Sequence, residues 1–570
     1  MAQTHPDIAS RIIGSIERER VQAASLRAED LVARICEGRG NRTLGYLMFI
    51  TDPSILPPVI TAATEVLQHD GCDDSVIQFL IHLSILLETV PSRYRVRTVL
   101  DEEDIASLVH TINEALDEFT DSSVKENILD SLAVYHAERF RVEEREHQVT
   151  AKDLRALFGS TLSGYIDWMK AEVKASRIAL STAGTIEDSP SVQEVLDTMW
   201  GNDYGAFLDV AFYKGAMFQT TNPPLIKAAW DLSTEEYTRS LAHRYRHTRF
   251  EEYTTGSLTE QEIAAALLPA TIVASQMELL RGFYLYTEGR SGFVCYQVNP
   301  EYHSNSGKMR DEILFVHSLL TDIFEGEPNV SFKIPGTRSG LECAQTLQDE
   351  GISITVTLSF ALFQADAFAR VLARSTAVSS FIVVMNGRLA FPVRDQLIAM
   401  KGENNTPYLQ ASRLVGVEVT RKLFRRLYGA EHEGGLALDR RRVGIMNASL
   451  RIYGDQIPDI TQIWGSPAIT IFPNARHALD STDRVFDPDA VRGEQDPSVL
   501  ALLRESEIFR QAYYLHGDPE GKPERILTLT DGDDREVELW GPINQTLTQF
   551  LSAHAQIRTQ ALAVYEGEMK

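Results

Sequence analysis

From about residue 176 to residue 472 the chain is a succession of short β-type runs set between long helical stretches, and no other feature constrains the fold as much. The runs are RIALST (177–182), AMFQTT (216–221), GFVCYQV (292–298), VSFKI (330–334), SITVTL (353–358), FIVVM (381–385), VGIMNA (443–448) and AITIF (468–472). Apolar strands joined through helices build parallel sheets, because a parallel neighbour is reached only by a long crossover. Eight such units over roughly three hundred residues fit an α/β fold closed as a (β/α)8 TIM barrel. No GxGxxG fingerprint follows any of the runs, so the open doubly wound sheet lacks its nucleotide loop.

Residues 1–150 read differently. Apolar residues recur at three- and four-residue spacing in Val59–Leu67, Val76–Leu87, Ile105–Leu116 and Val124–Val134, the period of amphipathic helices. VITAATEVLQHDGCDDSVIQFLIHLSIL and LVHTINEALDEFTDSSVKENILDSLAV share a pattern of helix, Asp-bearing turn and helix. That pattern predicts an all-α domain of HEAT-like hairpins. The barrel is then expected over 151–475, and a mixed α/β extension packed on it over 476–570. The extension should hold helices in Pro497–Leu515 and Asn544–Tyr565 and a β-like LTLTD (527–531). The helical domain is expected to serve protein contacts, as a homo-oligomer interface or for another partner.

The formal charge is −25, from 55 Lys and Arg against 80 Asp and Glu, which argues against nucleic acid or an anionic membrane as the main partner. A locally basic pocket for an anionic metabolite is compatible with it. The N-terminal stretch MAQTHPDIASRIIGSIERER has no apolar core of the secretory kind, and no run of 18 uninterrupted apolar residues occurs. Cys36, Cys72, Cys295 and Cys343 are scattered without metal-ligand spacing and read as buried thiols of a reducing cytoplasm. His243 and His247 lack a third ligand and read as a surface pair, and Arg440–Arg442 as a solvated turn before the seventh strand. No metal and no cofactor is expected.

Functional side chains of such barrels come from the C-terminal ends of strands and the loops after them. Those positions hold Thr221, Asn222, Gln297, Lys333, Thr357, Arg388, Ser449 and Arg451. Lys333 stands out as a lysine inside the apolar VSFKIPGT. Apolar surroundings disfavour an ammonium, and the neutral amine is the form that attacks a ketone to give a Schiff base. On composition alone, a lysine snorkelling to solvent from a strand end explains the residue as well.

The surroundings carry more. FKIPGTRSGLECAQTLQDEGISITVTLSFALFQADAFA resembles the stretch of the transaldolase family in which the Schiff-base lysine is followed by a helix, a Glu-Gly-Ile turn and the next strand. TTNPPLI (220–226) is similar to the family's TTNP signature, GRL (387–389) to its phosphate-binding arginine after the sixth strand, and ASLR (448–451) to its Ser-x-Arg after the seventh. ESEIF (505–509) also runs parallel, so the resemblance covers about residues 176–515. It implies an enzyme of carbohydrate metabolism, of the pentose phosphate kind, that forms a lysine Schiff base with a ketose phosphate. Such an enzyme transfers or releases a three-carbon dihydroxyacetone unit. By the same resemblance Lys333 is the nucleophile, and Thr357 with Gln297 holds the water that relays protons. Asn222, Thr221, Thr355 and Met385 line the substrate site. Arg388 and Arg451, assisted by Ser449, clamp the phosphate, which suits the fixed donors of a guanidinium.

Departures from the family pattern are specific. Its first strand ends in an aspartate that takes the proton of the cleaved hydroxyl. LSTA (180–183) is the best match to that stretch and puts Ser181 there, a poor base near neutral pH. Asp197 and Asp209 read as helical. Gln297 stands for a relay glutamate, Thr355 for an asparagine, and Val383 and Met385 for a serine and an aromatic residue. These losses open a second reading, a catalytically impaired barrel acting as a sugar-phosphate-binding scaffold or regulatory protein.

Overall fold

A computed structural model describes the chain apart from residues 1–4, 70–73, 90–98, 146–148, 177, 179–198, 251–255, 483–485, 517, 519–522, 531–533 and 570. Asp101 and Asp121 show how the helical region is built. Each lies in extended backbone and turns its carboxylate onto amides of the next turn, Asp101 accepting from Asp104 N at 2.8 Å and Asp121 from Ser123 N at 2.9 Å. This satisfies donors that a helix start leaves open. The helices they begin, Glu102–Glu118 and Ser122–Val142, follow Leu56–His69 and Asp74–Thr89, so an all-helical region precedes the strands. Helical packing runs on through Ala151–Phe158 and Leu162–Lys174, which bury Leu154, Phe158, Tyr165, Ile166 and Met169.

Among the described residues seven strands follow: β1 (Met199–Asn202), β2 (Val294–Gln297), β3 (Val330–Pro335), β4 (Ile354–Thr357), β5 (Ser380–Met385), β6 (Val443–Ala448) and β7 (Ala468–Ile471). All pair in parallel, in the order β1-β7-β6-β5-β4-β3-β2. Gln219 closes the ring by bridging Asn202 on one side and Val294 on the other. The run 216–221 is therefore the second stave of a (β/α)8 barrel, held by single bridges instead of a full ladder. The run 177–182, expected as the first strand, lies outside the described residues apart from Ile178. The first place, between β7 and the 216–221 run, belongs to β1. Of LTLTD, residues 527–530 are described and form no strand, contrary to the expectation; among the described residues no strand pairs with them, and a strand without a neighbour leaves its backbone unpaired.

Inside the barrel, Phe218, Phe293 and Phe381 stack near the N-terminal ends of the strands, with centroids 5.2 and 4.8 Å apart. Above them come smaller polar groups. Ser331 Oγ and Thr355 Oγ1 lie 2.7 Å apart, with Cys295 Sγ 3.7 Å from the same threonine. This packed floor directs any ligand to the opposite, C-terminal mouth.

The helix Glu260–Tyr286 joins the two regions. It is the one described helix long and apolar enough to cross a membrane, yet 89% of its most apolar window is buried within the protein. Its Gly282 meets Gly45 of the helix Gly40–Phe49. A Cβ on Gly45 would stand 2.9 Å from the Gly282 nitrogen, so only glycine allows the two backbones this approach. Two smaller expectations are met on the surface. His243 and His247 are exposed and stacked 4.1 Å apart, and Arg440–Arg442 form the turn entering β6.

Candidate active site

Lys333 is the fourth residue of β3, in register with Gln297 of β2 and Thr355 of β4. Its side chain is 5% exposed, and Nζ donates to the Thr221 carbonyl at 2.9 Å. That carbonyl is fixed, because Thr221 Oγ1 donates to the Cys295 carbonyl at 2.6 Å and anchors the segment to β2. The amine therefore does not snorkel. It ends inside the mouth on a backbone oxygen, which takes one of its hydrogens.

The residues named with it gather around the same mouth. Asn222 caps the helix Pro223–Leu232, its Oδ1 accepting from Leu225 N at 3.1 Å, so its amide nitrogen remains for a ligand. Gln297 Nε2 donates to the carbonyls of Lys333 and Val298 at 3.2 and 3.3 Å. Its Oε1 is buried and has no protein partner. Thr357 ends β4 buried, its carbonyl taking Gly336 N at 2.6 Å, while the Thr355 hydroxyl is tied to Ser331. Met385 ends β5, buried. Ser181 lies outside the described residues.

Across the mouth stand the two arginines. Gly387 N donates to the Ser449 carbonyl at 2.9 Å, stitching the loops after β5 and β6. A Cβ on Gly387 would come within 2.5 Å of that carbonyl oxygen and 2.8 Å of Arg451 Nε, so the absence of a side chain makes the path of Arg451. Ser449 is held at φ +59 and its Oγ is buried without a partner. Left-handed backbone on a non-glycine residue costs about 1–3 kcal/mol and commonly marks a functional position. Burial first, then the Arg451 charge, push the Arg388 guanidinium down from its ordinary value. Two cations facing one space attract an anion between them. Behind them Asp459 accepts from Arg451 N at 3.0 Å and from Asn386 Nδ2 at 3.5 Å, and burial pushes its carboxyl up to about 7.

The residue that reading by sequence missed is Asp203. It follows β1 directly, which places it at the end of the barrel's first strand. Its Oδ1 accepts from Thr220 Oγ1 at 2.7 Å, and that hydroxyl lies 2.7 Å from Thr470 Oγ1 of β7. Burial raises its carboxyl above the usual range, while the charge of Lys333, the Thr220 hydrogen bond and the charges of Arg388 and Arg451 act against the rise. A carboxylate with a raised pKa, in electrostatic reach of a buried amine and two guanidiniums, is suited to accept a proton. The contact between the tail helix and Arg388 was also missed. The helix Gly541–Met569 brings Gln549 to Arg388, Oε1 accepting from Nη1 at 2.6 Å, and sets the Phe550 ring 5.9 Å from the same guanidinium.

Comparison with known proteins gives a family. The family described as Transaldolase/Fructose-6-phosphate aldolase matches residues 208–513. A transaldolase of Campylobacter jejuni (strain RM1221) is 28% identical over 188 residues, covering 32% of this chain and 49% of that protein. Transaldolase 1 of Streptomyces avermitilis is 26% identical over 250 residues, 39% of this chain and 62% of that protein. Transaldolase 1 of Streptomyces coelicolor is 32% identical over 149 residues, 26% and 35% respectively. The chain spans about half the length of the curated relatives it matches, between 35% and 62% in these three. The matched segment begins at 208, just past Asp203.

Proposed function

Because the chain belongs to the transaldolase/fructose-6-phosphate aldolase family, we propose that it forms a Schiff base between Lys333 and a ketose phosphate and transfers or releases a three-carbon dihydroxyacetone unit. The observation that carries this reading is one mouth holding a buried amine, a carboxylate and two arginines. Arg388 and Arg451 hold the phosphate, with Ser449 Oγ as a further donor, and so set the carbonyl at the far end against Lys333. Nζ adds to the carbonyl carbon, and loss of water gives the iminium. Gln297 and Thr357 hold the water that shuttles protons in this step; neither ionises near neutral pH, so they orient it without acting as a base.

Asp203 is the base of the next step in this reading. It takes the proton of the hydroxyl on the fourth carbon, the bond between the third and fourth carbons breaks, and its electron pair moves into the iminium. An aldehyde leaves and an enamine stays on Lys333. The enamine then adds to an acceptor aldehyde, as in a transferase, or takes a proton, as in an aldolase; hydrolysis of the resulting iminium frees the lysine. With Asp203 in this role the serine expected at 181 need not act as a base. A reducing, cytoplasmic setting fits the buried thiols Cys295 and Cys343; Cys36 is exposed, contrary to the expectation of burial, and Cys72 lies outside the described residues.

The test is reductive trapping. Incubation with fructose 6-phosphate and borohydride should leave a covalent adduct visible in the intact mass, and Lys333→Ala should abolish it. Absence of an adduct with any ketose phosphate tried, together with tight binding of a sugar phosphate, would favour the scaffold reading, which Gln297 in place of a carboxylate supports.

A further inference from the structure

Arg476 belongs to the helix Pro473–Asp480 that follows β7, and it is 1% exposed. Its guanidinium reaches in two directions. Nη2 lies 3.2 Å from Glu143 Oε1, at the end of the helix Ser122–Val142 in the N-terminal region. Nη1 lies 3.5 Å from Asn202 Oδ1, the last residue of β1. Glu143 is itself enclosed and held by Arg139 at 3.0 Å and Arg145 at 2.8 Å. The helical region and the barrel thus meet in a chain of charges in which Arg139, Glu143 and Arg476 are buried.

Asn202 turns that contact toward the site. Its Nδ2 donates to the carbonyls of Tyr204 and Ala206 at 3.1 and 3.0 Å and to Gln219 Oε1 at 2.9 Å. Gln219 Nε2 in turn donates to the Tyr204 carbonyl. One buried amide therefore staples the loop 203–207, which carries Asp203 and ends at Phe207 in left-handed backbone with φ +59. The far side of the same loop is also held from the helical region, where the Tyr135 hydroxyl donates to Asp209. A buried ion pair contributes little net stability over an apolar replacement of equal volume. What the pair does supply is direction: one nitrogen is held by Glu143 and the other meets Asn202 Oδ1.

We propose that the helical region is a working part of the site, in which Glu143, through Arg476 and Asn202, positions the carboxylate of Asp203. This rests on the reading of Asp203 as the proton acceptor. Schiff-base formation by Lys333 does not need that proton transfer, whereas carbon–carbon cleavage does, and the two steps can be read separately. The variants are Asn202→Ser, which removes the staple together with its contact to Arg476, and the double variant Glu143→Gln with Arg476→Met, which removes both charges of that pair together and leaves Arg139 with Glu172 at 3.5 Å. Each is compared with wild type by borohydride trapping with fructose 6-phosphate and by steady-state cleavage of the same sugar.

The expected result is trapped adduct at the wild-type level, KM within about twofold and kcat lowered about 10- to 100-fold, the range of a misplaced general base. Wild-type kcat in a folded double variant overturns the proposal. So does a parallel fall of trapping and cleavage in either variant, since that marks a merely structural role. If the wild-type protein gives no adduct, the Schiff-base reading has failed, a result distinct from both.

Discussion

The two walls of the barrel mouth are held in different ways. The wall of β2, β3 and β4 supports itself: Lys333 sits in a six-residue strand paired on both sides, above a layer of Cys295, Ser331 and Thr355. The wall of β1 is paired by a full ladder on the β7 side alone and by a single bridge on the other, and the loop after it borrows its order from outside the barrel through Arg476 and Glu143. The difference teaches where precision has to be imported. A strand with full ladders fixes its side chains by hydrogen bonds and packing alone. A short strand followed by a strained loop needs buried polar groups, and these can belong to another part of the chain.

The sharpest way to break the comparison is Asp203→Asn. It keeps size and the Thr220 contact but removes the base. Cleavage of fructose 6-phosphate should fall about 100- to 10,000-fold, while borohydride trapping on Lys333 persists. Full cleavage activity in this variant would remove the β1 wall from the chemistry. Because the Asp203 carboxyl lies above its usual range, the acid limb of kcat should sit above that of an ordinary aspartate. Activity should rise with pH through that limb as the carboxylate forms.

Between the walls, Arg451→Ala should raise KM for the phosphorylated ketose by about 30- to 100-fold, the loss of one charge-assisted pair of hydrogen bonds. The unphosphorylated sugar should be affected far less, and an equal change for both would dismiss the phosphate role.

The smallest effect belongs to the self-supporting wall. Glu312 is buried, accepts from Tyr296 Oη at 2.8 Å and from Asn299 N at 3.1 Å, and so holds the loop after β2. Burial pushes its carboxyl up to about 7 from 4.5. The folded protein then keeps a proton that the unfolded chain releases, so stability is lost as pH rises through that window. Glu312→Gln keeps the acceptor and cannot titrate. Urea midpoints between pH 5 and 8 should fall with pH in wild type and run flatter in the variant, at about 1.4 kcal/mol per unit of pKa displacement. Equal slopes would show that Glu312 does not hold its proton in the folded protein.

Much of the site was legible before the fold was known, for a local reason. Lys333, Thr357, Arg388, Ser449 and Arg451 each lie at or just after a strand whose apolar run marks itself, and each sits in a short motif of its own. Asp203 had no such marks. Met199–Asn202 contains a tryptophan and a glycine and no β-branched residue, so it does not read as a strand. LSTA upstream offered a closer verbal match and drew the first strand to it. Gln549 was illegible for another reason, since it is an exposed residue on a tail helix and nothing in its neighbours names Arg388 as its contact.

The sequence by itself determined the class of the molecule: helices first, then parallel strands with a lysine among them and arginines after the later ones. Periodicity and strand-end motifs carry that information, because they depend on neighbours within a few residues. Only the tertiary structure decided which strand closes the ring, and therefore which carboxylate comes within electrostatic reach of the lysine. That choice rests on contacts between residues as far apart as Asn202, Arg476 and Glu143. A buried charge takes its meaning from the partner it meets, and no spacing along the chain announces that partner.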